Sequence, residues 1–190
     1  MGRRAVSAVV GITLVVAALL PARADNRRRW DGNDTRGPLD IASIKHAHRT
    51  NDRGNRQLVH TVRLFEGWPV KRLRHQGYIH LFFQLPGHPG NPEERTLRIT
   101  YDDGRLRGEM FNSLGDPPRF LAKVAVWRPN PKTVKAAFRK TLLRRRSFDA
   151  YQWSALSYVE DRHPLCNRSA GCGDWAPNVR RGKRYVRHDV

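Results

Sequence analysis

From Leu39 onward apolar side chains recur at every second position, the spacing that places alternate residues on one face of a β-strand. Leu58, Val62 and Leu64 share one parity, with His60 among them. Ile79, Leu81, Phe83 and Leu85 form the cleanest run, and Tyr78, His80, Phe82 and Gln84 between them are bulky enough that both faces are expected to be covered. Leu97, Ile99 and Tyr101 alternate with Thr96, Arg98 and Thr100, after which the chain meets Asp102-Asp103-Gly104 and a second alternating run, Arg105 to Met110. An Asp-Gly turn between alternating runs predicts a hairpin, because glycine accepts the positive φ that such a turn requires. Phe120, Ala122, Val124 and Val126 predict another strand, ended at Arg128-Pro129 because proline lacks the ladder N–H. Tyr151, Trp153 and Ala155 predict a late one.

The segment Asn130 to Arg146 fits two periods. With Asn130 as cap and Pro131 at the first helical position, Val134, Ala137, Phe138, Thr141 and Leu142 make a helical stripe. Val134, Ala136 and Phe138 alternate as well, and the neighbouring strands favour a strand at 133–139 followed by a helical turn through Thr141 to Arg144. The sum is an all-β fold, an antiparallel β-sandwich of jelly-roll or immunoglobulin-like type, with about eight strands and at most one short helix. Residues 37–177 make this domain, residues 25–36 a flexible basic lead-in whose Trp30 can dock on it, and residues 178–190 an exposed basic tail.

A chain of 190 residues allows one such domain with a tail. Its 39% hydrophobic content suffices for a packed core. Charge changes the picture more: 36 Lys and Arg against 17 Asp and Glu give a formal +19, which excludes cationic partners and leaves anionic ones open. Lysine accounts for seven of the 36, so arginine dominates; GC-rich codon usage and selection for anion binding both explain that ratio.

Arg3 and Arg4, an uncharged Ala5–Leu20 stretch and the small residues of Ala22-Arg23-Ala24 make a cleavable secretory signal over residues 1–24. Sixteen uncharged residues fall short of the roughly 20 that span a bilayer, so no transmembrane anchor is expected after cleavage. The expected location is secreted, extracellular. Removing the signal takes away three arginines and no carboxylate, so the basic excess belongs to the domain. In that compartment Cys166 and Cys172, separated by five residues, are expected to form a disulfide that staples a small loop.

Catalytic patterns are missing from the sequence. There is no Gly-x-Ser-x-Gly and no His-Glu-x-x-His. His46 and His48 point the same way on a strand, but with no third ligand in view a solvated strand end explains them and no metal is assigned. Glu109 is the acidic residue central to a predicted strand, and an exposed pair with Arg107 accounts for it. Residues 31–40 hold several oxygen ligands yet fail the EF-hand template at Thr35 and Arg36. No cofactor is therefore expected, with calcium at Asp34, Asp40 or Asp174 as the alternative.

Trp68 and Trp175 fall beside proline in predicted loops, where an aromatic face is free to stack on a sugar, whereas Trp153 reads as core. Basic runs at 27–29, 144–146 and 180–184 can form an anion-binding surface that selects charge density. No nucleic-acid motif accompanies them, so no specific nucleic-acid partner is expected.

The stretch Asp34 to Ile41, then Leu58-Val59-His60-Thr61-Val62 and Trp68, resembles a group of secreted, uncharacterised actinobacterial proteins. Trp127-Arg128-Pro129, Tyr151 to Ala155 and Asp174-Trp175-Ala176-Pro177 are similar to the same group. More distantly the strand order resembles a carbohydrate-binding-module or DOMON-like β-sandwich. The resemblance implies export and a β-sandwich, and it assigns no activity. The reading at this point is an exported, monomeric, non-catalytic binding or cell-envelope accessory module for a carbohydrate or an anionic envelope polymer, with Trp68 and Trp175 as ligand contacts. The alternative is a secreted hydrolase using carboxylates such as Glu109, Asp40 or Asp174.

Overall fold

A computed structural model describes residues 28–33, 39–74, 77–86, 94–143, 148, 150–159, 172–177 and 185–189. The alternation becomes eleven strands: β1 (Arg28–Trp30), β2 (Ile41–Thr50), β3 (Arg56–Leu64), β4 (Tyr78–Gln84), β5 (Arg95–Asp102), β6 (Arg105–Asn112), β7 (Arg119–Asn130), β8 (Thr133–Phe138), β9 (Ala150–Val159), β10 (Cys172–Ala176) and β11 (Val186–Asp189). Two single-turn 3-10 helices, Val70–Leu73 and Lys140–Leu142, complete the described elements.

All strand pairs are antiparallel and join one sheet in the order β1-β2-β3-β8-β7-β6-β5-β4-β9-β10, with β11 also on β9. The all-β expectation therefore holds, but the expected two-sheet sandwich of about eight strands is replaced by a single curled sheet of eleven. The twelve-residue β7 is the reason. Its first half pairs with β6 and its second half with β8, so the ladder runs on unbroken where a sandwich would start a second sheet. Gly108 of β6 makes room there: a Cβ on it would lie 2.4 Å from Val126 Cγ2 and 2.9 Å from the Val124 carbonyl. Pro129 does not end β7 as expected, because it lies in a register irregularity between Trp127 and Asn130.

The hairpin at Asp102 is as predicted, with Asp103 and Gly104 at φ 48 and 76 joining β5 to β6. The strand reading of 133–139 also holds: β8 is followed by a 3-10 turn over Lys140–Leu142. Two terminal segments are more ordered than expected. Trp30, placed in a flexible lead-in, belongs to β1 and pairs with Ser43, while Val186–Asp189 of the expected tail pair with β9. The loop containing Cys166 lies outside the described residues, so the expected Cys166–Cys172 bond does too; Cys172 is buried at the start of β10.

Curling turns one face of the sheet inward. Ile44, Leu58, Val62, Ile79, Leu81, Phe83, Leu97, Ile99, Met110, Val134, Phe138, Tyr151 and Trp153 fill the interior. Two polar contacts fasten the end of the sheet at β9 and β10 to the start of β2. The Ile41 N–H donates to Asp174 Oδ2 at 2.6 Å, and the Ser157 hydroxyl donates to the Leu39 carbonyl at 2.6 Å.

Candidate functional site

The outward face of β1, β2, β3 and β8 carries a groove of about 730 Å³. Register defines its floor. One cross-strand row reads Arg28, Lys45, Thr61, Lys135 and Trp127, and the next reads Trp30, Ser43, Arg63, Thr133 and Asn130. A third row, Ala47, Val59, Ala137 and Ala125, is small and apolar. Strands lie ~4.8 Å apart, so the cations of the first row span roughly 14 Å from β1 to β8. The tight β7–β8 turn raises one wall: Asn130 Oδ1 accepts the Lys132 N–H at 3.0 Å, and Lys132 reaches over to donate to the Phe65 carbonyl at 2.8 Å.

Arg28, Lys45, Arg63, Lys132 and Lys135 all line this groove, and none forms an ion pair among the described residues. Among the described residues no carboxylate lines it. Five cations without counter-charge create a positive potential along an elongated surface, which a mobile counterion atmosphere or an anionic ligand must balance. Trp30 at one corner is 66% exposed with the Arg28 guanidinium 5.1 Å from its centroid; Trp127 at the opposite corner is covered by Arg49 at 4.7 Å.

The sequence-predicted contacts lie elsewhere. Trp68 is buried, 4% exposed, with the Arg128 guanidinium 4.4 Å from its centroid and donating to its carbonyl. This corrects the expectation of a free stacking face: the indole is buried, and the Trp68 backbone N–H donates to the Pro131 carbonyl at 3.2 Å, anchoring the loop to the β7–β8 turn. Trp175 is half-buried on the outward face of β10, stacked on Phe82 at 5.1 Å and 20°. It ends an aromatic stripe in which Tyr158, Tyr78 and His80 also stack, at 5.1 and 4.1 Å. Burial, and secondarily the Arg98 guanidinium on the neighbouring strand, push the His80 imidazole down to about 4. Neither Trp68 nor Trp175 lines the groove.

His46 and His60 are core residues, whereas His48 is half-buried. His46 is buried rather than solvated and lies opposite His60, also buried. Trp153 donates to His46 Nδ1 at 3.4 Å, and His60 Nε2 lies 2.7 Å from the Tyr151 hydroxyl while its ring stacks on Phe138. Burial raises the Tyr151 phenol well above its ordinary value, so it serves as a neutral hydrogen-bonding group. Both rings are enclosed by interior side chains.

Among the carboxylates, Glu109 pairs with Arg98 at 2.9 Å across the strands, not with Arg107, which bonds Asp102 and Asp103 of the hairpin. Asp174 faces inward at the seam, on the opposite face of the sheet from Glu109, so these two do not converge on one cleft. Asp40 is buried beside that seam and Asp34 lies outside the described residues. Among the described residues no group of three His, Cys, Asp or Glu side chains is arranged to hold a metal ion.

Sequence reasoning placed anion binding on contiguous basic runs. Among the described residues the groove draws Arg28 from them; its other described members are single cations at outward positions of β2, β3 and β8 or, for Lys132, in the β7–β8 turn. Their signal was parity: Lys45, Arg63 and Lys135 each sit out of phase with the apolar set of their strand, and no acidic residue shares that phase in β2, β3 or β8. Compared with protein-family models, with curated proteins and with solved structures, the chain finds no match in any of the three.

Proposed function

We propose that this chain is an exported, non-catalytic binding module that holds an anionic polymer along the outward groove of β2, β3 and β8. The observation that carries the reading is the unpaired state, among the described residues, of all five groove cations. A polymer displaces counterions from several of them at once, so its affinity is cooperative in charge and steeply salt-dependent. A monovalent anion gains little from the same surface. The secretory pattern of residues 1–24 supports a polymer outside the membrane, and a Cys166–Cys172 bond belongs to the same reading; the secreted chain should begin at Asp25 and weigh two hydrogens less than the reduced form.

The test compares two charge reversals of equal size. Lys45→Glu with Lys135→Glu alters the groove, whereas Arg105→Glu with Lys123→Glu alters the surface of β6 and β7. Binding to polygalacturonate and to long-chain polyphosphate is measured at low salt. The groove variant should lose at least tenfold in affinity and have a shallower salt slope by about one or more for each lost contact, with the control within about twofold of wild type. Equal losses in both variants would mean that net charge alone binds, and would overturn the reading.

A further inference from the structure

We propose that the polymer is a polysaccharide bearing its charge on sugar rings, and that Trp30 stacks on one of those rings; the inference rests on the groove reading above. Trp30 is the most exposed large hydrophobic side chain described, 66% accessible. Exposed tryptophan on a mobile tail would carry little meaning, but this one is held in register: Trp30 pairs with Ser43, and the next residue continues the contact through the Asp31 N–H to the Ala42 carbonyl at 3.0 Å. The indole therefore stands at a fixed place, next to Ser43 of the groove floor and in the same row as Arg63.

Three features of that corner match one ligand chemistry. The indole offers an apolar face of the size of a pyranose ring. The Arg28 guanidinium lies over one face of the indole, 5.1 Å from its centroid, and Trp30 is still 66% exposed, so a sugar ring can stack on the opposite face while Arg28 pairs with a charged substituent of the same polymer. Thr61, half-buried between Lys45 and Lys135 on the floor, gives a short hydroxyl for a hydroxylated ligand, while Ser43 and Thr133 are buried beneath the surface. A ring-free polyanion uses the cations and leaves Trp30 idle. A single-stranded nucleic acid stacks successive bases on successive rings. Here the second bordering ring, Trp127, is half-buried as well as covered by Arg49 at 4.7 Å, whereas Trp30 is 66% exposed, so the surface offers one accessible ring for many charges. Intermittent stacking along a charged chain of sugars fits that ratio.

The experiment measures affinities of wild type, Trp30→Ala and Trp30→Tyr for polygalacturonate, long-chain polyphosphate and oligo(dT), at 50 and 300 mM salt. Trp30→Ala should weaken polygalacturonate binding about tenfold at either salt concentration, because stacking is not screened, and leave polyphosphate within twofold. Trp30→Tyr should restore most of the loss, which excludes damage to β1. The tryptophan emission of wild type should shift on adding polygalacturonate, and the shift should vanish in Trp30→Tyr. If Trp30→Ala leaves polygalacturonate unchanged, or if oligo(dT) binds more tightly and depends more strongly on Trp30, the inference is overturned while the groove stands. If Lys45→Glu with Lys135→Glu leaves both polyphosphate and polygalacturonate unaffected, it is the groove reading that fails.

Discussion

The Ile41 backbone N–H donates to the Asp174 carboxylate across 2.6 Å, joining the first residue of β2 to β10, at the far end of the sheet order. A curled sheet without full strand pairing at its seam leaves backbone groups to satisfy, and a buried carboxylate accepting an N–H meets that need. Asp174→Asn keeps the shape but removes the charge, and should lower unfolding free energy by roughly 2 kcal/mol in a urea titration. An unchanged midpoint would mean that the seam is held by its apolar neighbours alone.

Gly108 allows β6 and β7 to approach at the bend. Gly108→Ala would put a methyl 2.4 Å from Val126 Cγ2 and 2.9 Å from a carbonyl, so it should destabilise by about 1–3 kcal/mol. Adding Val126→Ala relieves the side-chain clash, and the double variant should unfold at higher denaturant than Gly108→Ala.

Trp68→Ala distinguishes a structural from a binding role. The indole is buried and its loop is tied to Pro131, so the variant should lose about 3–5 kcal/mol of stability. Polymer affinity of the fraction that stays folded should match wild type.

The elements were legible where one period dominated. β4, β5 and the Asp103-Gly104 hairpin follow from alternation plus turn chemistry, and β8 from the company of its neighbours. What alternation does not encode is which layer a strand joins: the same pattern in β7 serves a sandwich or a curl, and the choice depends on Gly108 and the irregularity at Pro129, both tertiary. His46 was misplaced because imidazole is equally at home in water and in a hydrogen-bonded core, and only Trp153, more than a hundred residues away, decides between them. Trp68 was misplaced because a neighbouring proline signals a loop but says nothing about what covers it. The groove depends on register between β1, β2, β3 and β8, so no single segment displays it.

His80 makes stability depend on pH in a defined window. Its imidazole is held down to about 4 in the folded chain against 6.5 when unfolded, so the unfolded state binds the extra proton. Stability should be level above pH 6.5, fall as pH drops through the window, and have lost up to about 3 kcal/mol near pH 4 from this group. His80→Gln should flatten that part of the profile, as read from urea midpoints at half-unit pH steps. The same slope in both proteins would contradict the assignment.

Lysine footprinting tests the central claim most directly, because the described lysines divide between the groove and other surfaces. The protein is acetylated briefly with and without saturating polygalacturonate, and the modified sites are read by mass spectrometry. Lys45, Lys132 and Lys135 should be protected several-fold, while Lys71 and Lys123 label as before. Protection spread evenly over all five, or confined to Lys71 or Lys123, would contradict the groove.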